Sequence, residues 1–129
     1  MILRIDPDAS VPIFEQIVLQ VKYAVARGAY RAGDQLPSVR QLAVDALVNP
    51  NTVAKAYREL EREGVVRTRR GLGIFVAEGA EALCTRDGRS VIDGRLRNVV
   101  TEAADAGIPA EEIREIFERH LKRSHGEDG

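Results

Sequence analysis

The chain has 129 residues, 44% of them hydrophobic, enough for one compact domain with a small appendage. No apolar run approaches the roughly 20 residues that cross a bilayer, the N-terminus MILRIDPDASVP lacks a basic patch followed by an apolar core, and the single cysteine, Cys84, excludes an internal disulfide, so a cytoplasmic chain with no membrane partner is expected. The net charge of −1 hides an asymmetry: residues 1–77 hold 11 Lys+Arg and 8 Asp+Glu (+3), residues 78–129 hold 8 and 12 (−4), and the first part has the better claim on an anionic partner.

In chain order, residues 12–27 place Ile13, Phe14, Ile17, Val18, Val21, Ala24 and Val25 at helical spacing, with Glu15, Gln16, Gln20, Lys22 and Arg27 mostly elsewhere on the circumference. Gly28 ends that helix, and GAYRAGDQLPS reads as a loop. Ser38 suits the N-cap of a short second helix, VRQLAVDAL, expected to bury Val39, Leu42, Ala43, Ala46 and Leu47. That helix cannot pass Asn49-Pro50, because a residue before proline is pushed out of the α region. A third helix starts there, with Asn49 as N-cap and Pro50 at the first position, where its missing N–H costs nothing. Val53, Ala56, Tyr57 and Leu60 face inward; Asn51, Ala54, Lys55, Arg58 and Arg62 face outward. After Gly64, VVRTRRGLGIFVA reads as a β-hairpin with an Arg/Gly-rich turn.

Residues 78–90 are small and polar and read as a linker. Two further helices carry apolar stripes: Val91, Ile92, Leu96, Val99, Val100 and Ala103 on one, and Ile113, Ile116, Phe117 and Leu121 on the other, separated at Gly107-Ile108-Pro109. Two helices cannot enclose a core of their own, and a second copy of the chain is the simplest partner for both stripes. The expected fold is mainly α with a small β-hairpin: an N-terminal winged helix-turn-helix domain over residues 1–77, then a linker and two-helix dimerisation region over 78–129.

A helix-turn-helix offers one helix to the major groove of DNA, its first turn reaching base edges. Asn51 and Thr52 occupy that turn; Asn can bond two atoms of an adenine edge, Thr can donate, accept or touch a thymine methyl, and Lys55 can reach a guanine or a phosphate. Arg40 opens the preceding helix, and Tyr57 and Arg58 are candidate phosphate contacts. Arg67, Arg69 and Arg70 beside Gly71 and Gly73 suit a wing entering a minor groove.

The run GAYRAGDQLPSVRQLAVDALVNPNTVAKAYRELEREGVVRTRRGLGIFVA resembles the DNA-binding domain of GntR-type transcriptional regulators, and the resemblance extends over residues 12–77. The short two-helix C-terminal part resembles that of the YtrA-like subgroup, in length and helix count more than in motif. The resemblance implies that Arg40 of LPSVR contacts DNA, as do Asn49, Asn51, Thr52 and Lys55 at the opening of the recognition helix and Arg70 and Gly71 at the wing tip. Pro50 and Ala54 stand where better-known members carry arginine, so base preference does not transfer. The expected DNA-binding set is Ser38, Arg40, Asn49, Asn51, Thr52, Lys55, Tyr57, Arg58, Arg69, Arg70 and Gly71. The expected partners are a palindromic operator in double-stranded DNA and a second protomer; a small-molecule effector is left open.

The alternative from another class is a winged-helix adaptor that binds protein and no DNA. No nucleophile–base–acid set or phosphate loop is present, so neither an enzyme nor a cofactor is expected. Glu111, Glu112, Glu115 and Glu118 read as a solvated helix face, His120 as a boundary residue, and neither the histidines nor Cys84 falls into a metal-ligand spacing.

Overall fold

The computed structural model describes residues 1 and 3–126. Its elements are α1 (Ile13–Ala26), α2 (Val39–Ala46), α3 (Pro50–Arg62), β1 (Val66–Arg69), β2 (Gly73–Val76), α4 (Ala80–Asp105) and α5 (Ala110–His125). Three helices and a hairpin form a winged helix-turn-helix, and two more helices follow. Compactness divides the chain into Met1–Arg89 and a second unit beginning at Ser90. Among the described residues no helix is long and apolar enough to cross a membrane.

In the first unit α1 buries Ile17, Val18, Val21, Ala24 and Val25, the three-to-four spacing of a core-facing stripe. Its other side holds the extended segment before it. Gln20 accepts from the Arg4 N–H and donates to the Arg4 carbonyl, both at 2.7 Å. Gln16 does the same for Asp6, both at 2.8 Å. One helical turn, about 5.4 Å, is close to the two-residue step of an extended chain, about 6.6 Å, so side-chain amides four apart match backbone amides two apart. In the sequence these glutamines are indistinguishable from ordinary polar surface.

Ser38 caps α2 by accepting from the Gln41 N–H at 3.1 Å. The helix ends on Leu47, whose φ of 56° is left-handed and whose side chain is 92% exposed. The expectation that Leu47 is buried is therefore wrong. The chain must turn sharply to begin α3 three residues later, and the left-handed step that lets the Val48 N–H reach the Ala43 carbonyl at 3.0 Å swings Leu47 outward. On α3, Val53, Ala56, Tyr57 and Leu60 are buried as expected.

β1 and β2 pair antiparallel, Val66 with Val76 and Arg69 with Gly73. The expected loop before α2 contributes a third strand-like edge: the Leu36 N–H donates to the Ile74 carbonyl at 2.8 Å, and the Val76 N–H to that of Asp34 at 2.9 Å. The segment before α2 thus anchors the wing.

From Ala80 on, the expected linker at 78–90 is instead the base of α4. Ala80 and Cys84, one turn apart, are buried in the core of the first unit, with Cys84 fully enclosed, and this packing outweighs the poor helix propensity of Gly88. Lys22, expected on the outer face of α1, is also buried. It pairs with Glu63, at the C-cap of α3, and lies 3.0 Å from an Asp87 carboxylate oxygen on α4. Burial alone would lower the Lys22 pKa, but hydrogen bonds to the two carboxylates outweigh it and the net direction is up.

In the second unit α4 ends at a turn where Gly107 has φ 77° and the Ile108 N–H donates to the Ala103 carbonyl at 2.9 Å. Ile92, Leu96, Val99, Val100 and Phe117 are exposed, and Val91, Ile113, Ile116 and Leu121 are partly so. Ala103 departs from the expected interface set: it is only 7% exposed, closed off within the protomer at this turn.

Candidate nucleic-acid interface

α3 opens with its cap in place. The Asn49 side-chain oxygen accepts from the Asn51 N–H at 2.8 Å, and the Asn49 carbonyl accepts from the N–H groups of Thr52 at 2.9 Å and Val53 at 3.3 Å. Pro50 has no N–H to give. A helix start normally offers free N–H donors to an anion, but here they are engaged internally. Side chains must therefore make the contacts. Asn51 and Lys55, four apart, share one exposed face, and Thr52 is partly exposed beside them. Asn49 keeps its side-chain N–H₂ group as a donor.

Tyr57 does not belong to this surface. Its side chain is core, and its hydroxyl donates to the Pro37 carbonyl at 2.7 Å, fixing α3 against the segment that starts α2. Burial raises its pKa and keeps the phenol neutral. The phosphate contact anticipated for Tyr57 is thus replaced by a positioning role. Two residues before Arg40, the Ser38 hydroxyl accepts one bond as a cap and keeps its proton to donate and a second lone pair.

The outward-facing cations divide by their partners. Arg62 is held by Glu59, its Nε donating to one carboxylate oxygen at 2.9 Å, and the hydrogen bond from Arg62 draws the Glu59 pKa down to about 2. Arg40, Arg58, Arg69 and Arg70 are exposed and, among the described residues, form no ion pair. They can take phosphate in bidentate geometry without first breaking an internal bond.

Gln35, expected only in a loop, supports the wing. Its side-chain amide donates to the Leu72 carbonyl at 3.0 Å, and its backbone bridges Phe75. Gly73 lies against the same amide at φ 128°, and a Cβ there would sit 2.5 Å from the Gln35 nitrogen. The turn carrying Arg69, Arg70 and Gly71 is closed by the Leu72 N–H donating to the Arg69 carbonyl at 2.9 Å. β1 is tied to α3 where the Thr68 N–H donates to the Glu61 carboxylate at 3.2 Å. Among the described residues no group of three His, Cys, Asp or Glu could hold a metal ion.

Comparison with known proteins places this architecture. The profile of bacterial regulatory proteins of the gntR family matches residues 13–76. The HTH-type transcriptional repressor YtrA of Bacillus subtilis (strain 168) is 42% identical over 113 residues, covering 88% of this chain and 87% of its own. A GntR family transcriptional regulator from Listeria monocytogenes superposes with TM-score 0.69 at 35% identity, over 87% of this chain and 97% of that one. A transcriptional regulator from Oenococcus oeni does so with TM-score 0.68 at 36% identity, over 91% and 97%. These likenesses run past the winged helix into the two C-terminal helices, and the chain belongs to the GntR family of DNA-binding transcriptional regulators, on its YtrA-like branch.

Proposed function

We propose that the chain is a cytoplasmic repressor that binds a palindromic operator as a homodimer. Each protomer lays residues 50–62 in a major groove and its wing in the neighbouring minor groove, on half-sites about one helical turn apart. The winged helix of residues 1–77 contacts DNA and the region from 78 onward dimerises, with the base of α4 also completing the first unit's core. Asn51, Thr52 and Lys55 reach base edges. Ser38, Arg40, Asn49 and Arg58 contact the backbone or adjacent bases, and Arg69, Arg70 and Gly71 approach the minor groove.

The observation that carries this reading is that Arg40 at the start of α2, Arg58 on α3 and Arg69 and Arg70 on the wing are exposed and, among the described residues, form no ion pair. Ile92, Leu96, Val99, Val100 and Phe117 support the dimer, since an apolar stripe left in water by one protomer is covered by its copy. The repressor named among the relatives supports the sign of regulation.

Selection of bound sequences from random duplex DNA tests it: a two-fold symmetric site is expected, and an asymmetric or unenriched pool would count against the reading. Arg40→Ala or Lys55→Ala should weaken binding to the selected duplex and leave the dimer intact. Replacing Arg69 and Arg70 with alanine should lower the salt slope by about one unit for each phosphate that is no longer neutralised.

A further inference from the structure

Lys55 lies on the face of α3 that carries Asn51, and its ammonium is 4.0 Å from the centroid of the Phe14 ring. Phe14 belongs to the first turn of α1 and is packed against the core, so the ring is a fixed platform. An aromatic face attracts a cation through its quadrupole yet has no net charge, so the cation keeps its full attraction for an anion. Lys22 shows the opposite treatment, its charge matched by Glu63 and Asp87 in the core. The wing repeats the first arrangement, with the Arg69 guanidinium 5.7 Å from the Phe75 centroid. Two of the chain's three phenylalanines thus lie under cations of this surface.

A lysine has four rotatable bonds, and ordering it on DNA costs part of that freedom. A ring that restrains it beforehand removes part of the cost. We propose that Phe14, on a helix outside the helix-turn-helix pair, is a positioning residue of the DNA-binding surface and holds the Lys55 ammonium ready for an acceptor on DNA. This rests on Lys55 being a DNA contact, as proposed above.

The test is a double-mutant cycle on a duplex selected by the wild-type chain. Phe14→Leu, which keeps apolar bulk and removes the π face, is expected to weaken binding by about 2- to 5-fold, the range for an exposed cation–π pair. Phe14→Tyr should bind as wild type does. In a Lys55→Ala background Phe14→Leu should change nothing further. An equal loss in both backgrounds would show that Phe14 acts through the fold alone and overturn the inference. So would unchanged binding by Phe14→Leu where Lys55→Ala weakens it. No effect of Lys55→Ala itself would remove the contact on which the inference rests. Should the leucine variant fold poorly, stepwise fluorination of the Phe14 ring conserves its shape while withdrawing π density, and affinity is expected to fall with each fluorine; a flat series would also overturn the inference.

Discussion

Leu47 holds a conformation that a leucine adopts at a cost of about 1–2 kcal/mol, and its exposed side chain gains little in return. Asparagine tolerates the same φ and often closes helices this way. Leu47→Asn is therefore expected to stabilise the chain by about 0.5–1 kcal/mol, seen as a higher urea midpoint at unchanged slope. Gly73 is the converse case, since any side chain there meets both a left-handed φ and the Gln35 amide. Gly73→Ala should cost about 1–2 kcal/mol and also weaken DNA binding, because the displaced amide no longer holds the Leu72 carbonyl. Gln35→Ala should reproduce the binding loss with a smaller stability loss. Both are read by denaturation and by titration on one duplex. The caps of Ser38 and Asn49-Pro50 were legible in the sequence because a cap is a bond between near neighbours. Leu47 and Gln35 were not, since the first answers to the angle between two helices and the second to a wing 37 residues further on.

At the scale of elements, α4 departs furthest from what its sequence suggests. Gly79, Gly88 and the polar residues around them look like a linker, and only tertiary packing of Ala80 and Cys84 makes the segment helical. A Cβ added at Gly88 would lie 3.5 Å from the Tyr23 ring, an ordinary contact. Gly88→Ala should thus strengthen the helix by about 0.5–1 kcal/mol, measurable as a raised melting temperature. Lys22, Glu63 and Asp87 join α1, the end of α3 and α4, and no short-range pattern could have announced that triad. The hydrogen bond from Lys22 lowers the Asp87 pKa, so its contribution to stability is present above the ordinary aspartate value, about 3.9, and is lost as pH falls through the folded value. Lys22 is raised, so its contribution is complete below about 10.4 and is lost as pH rises beyond. Asp87→Asn should flatten the acid limb of stability against pH, with a loss of about 0.5–1 kcal/mol near neutrality. A wild-type acid limb in the variant would assign that limb to other carboxylates.

For the whole molecule, the proposed dimer makes the apolar stripes of the second unit the controlling surface. Leu96→Glu should give a monomer by sedimentation, with binding to a two-half-site duplex reduced far more than to a single half-site. Equal losses on both would place Leu96 in the fold of the protomer instead. The stripes were legible because helical periodicity survives whatever covers it. The closure of Ala103 was not, because it depends on where the chain turns at Gly107.

Cys84 gives the chain an internal reporter. The thiol is the chain's only one, it has no exposed surface, and burial raises its pKa to about 11. A thiol-labelling reagent can reach it only when the base of α4 lifts from the core, so the labelling rate measures that opening directly. Comparing rates with and without operator DNA would show whether DNA engagement clamps the helix that leads out of the reading head.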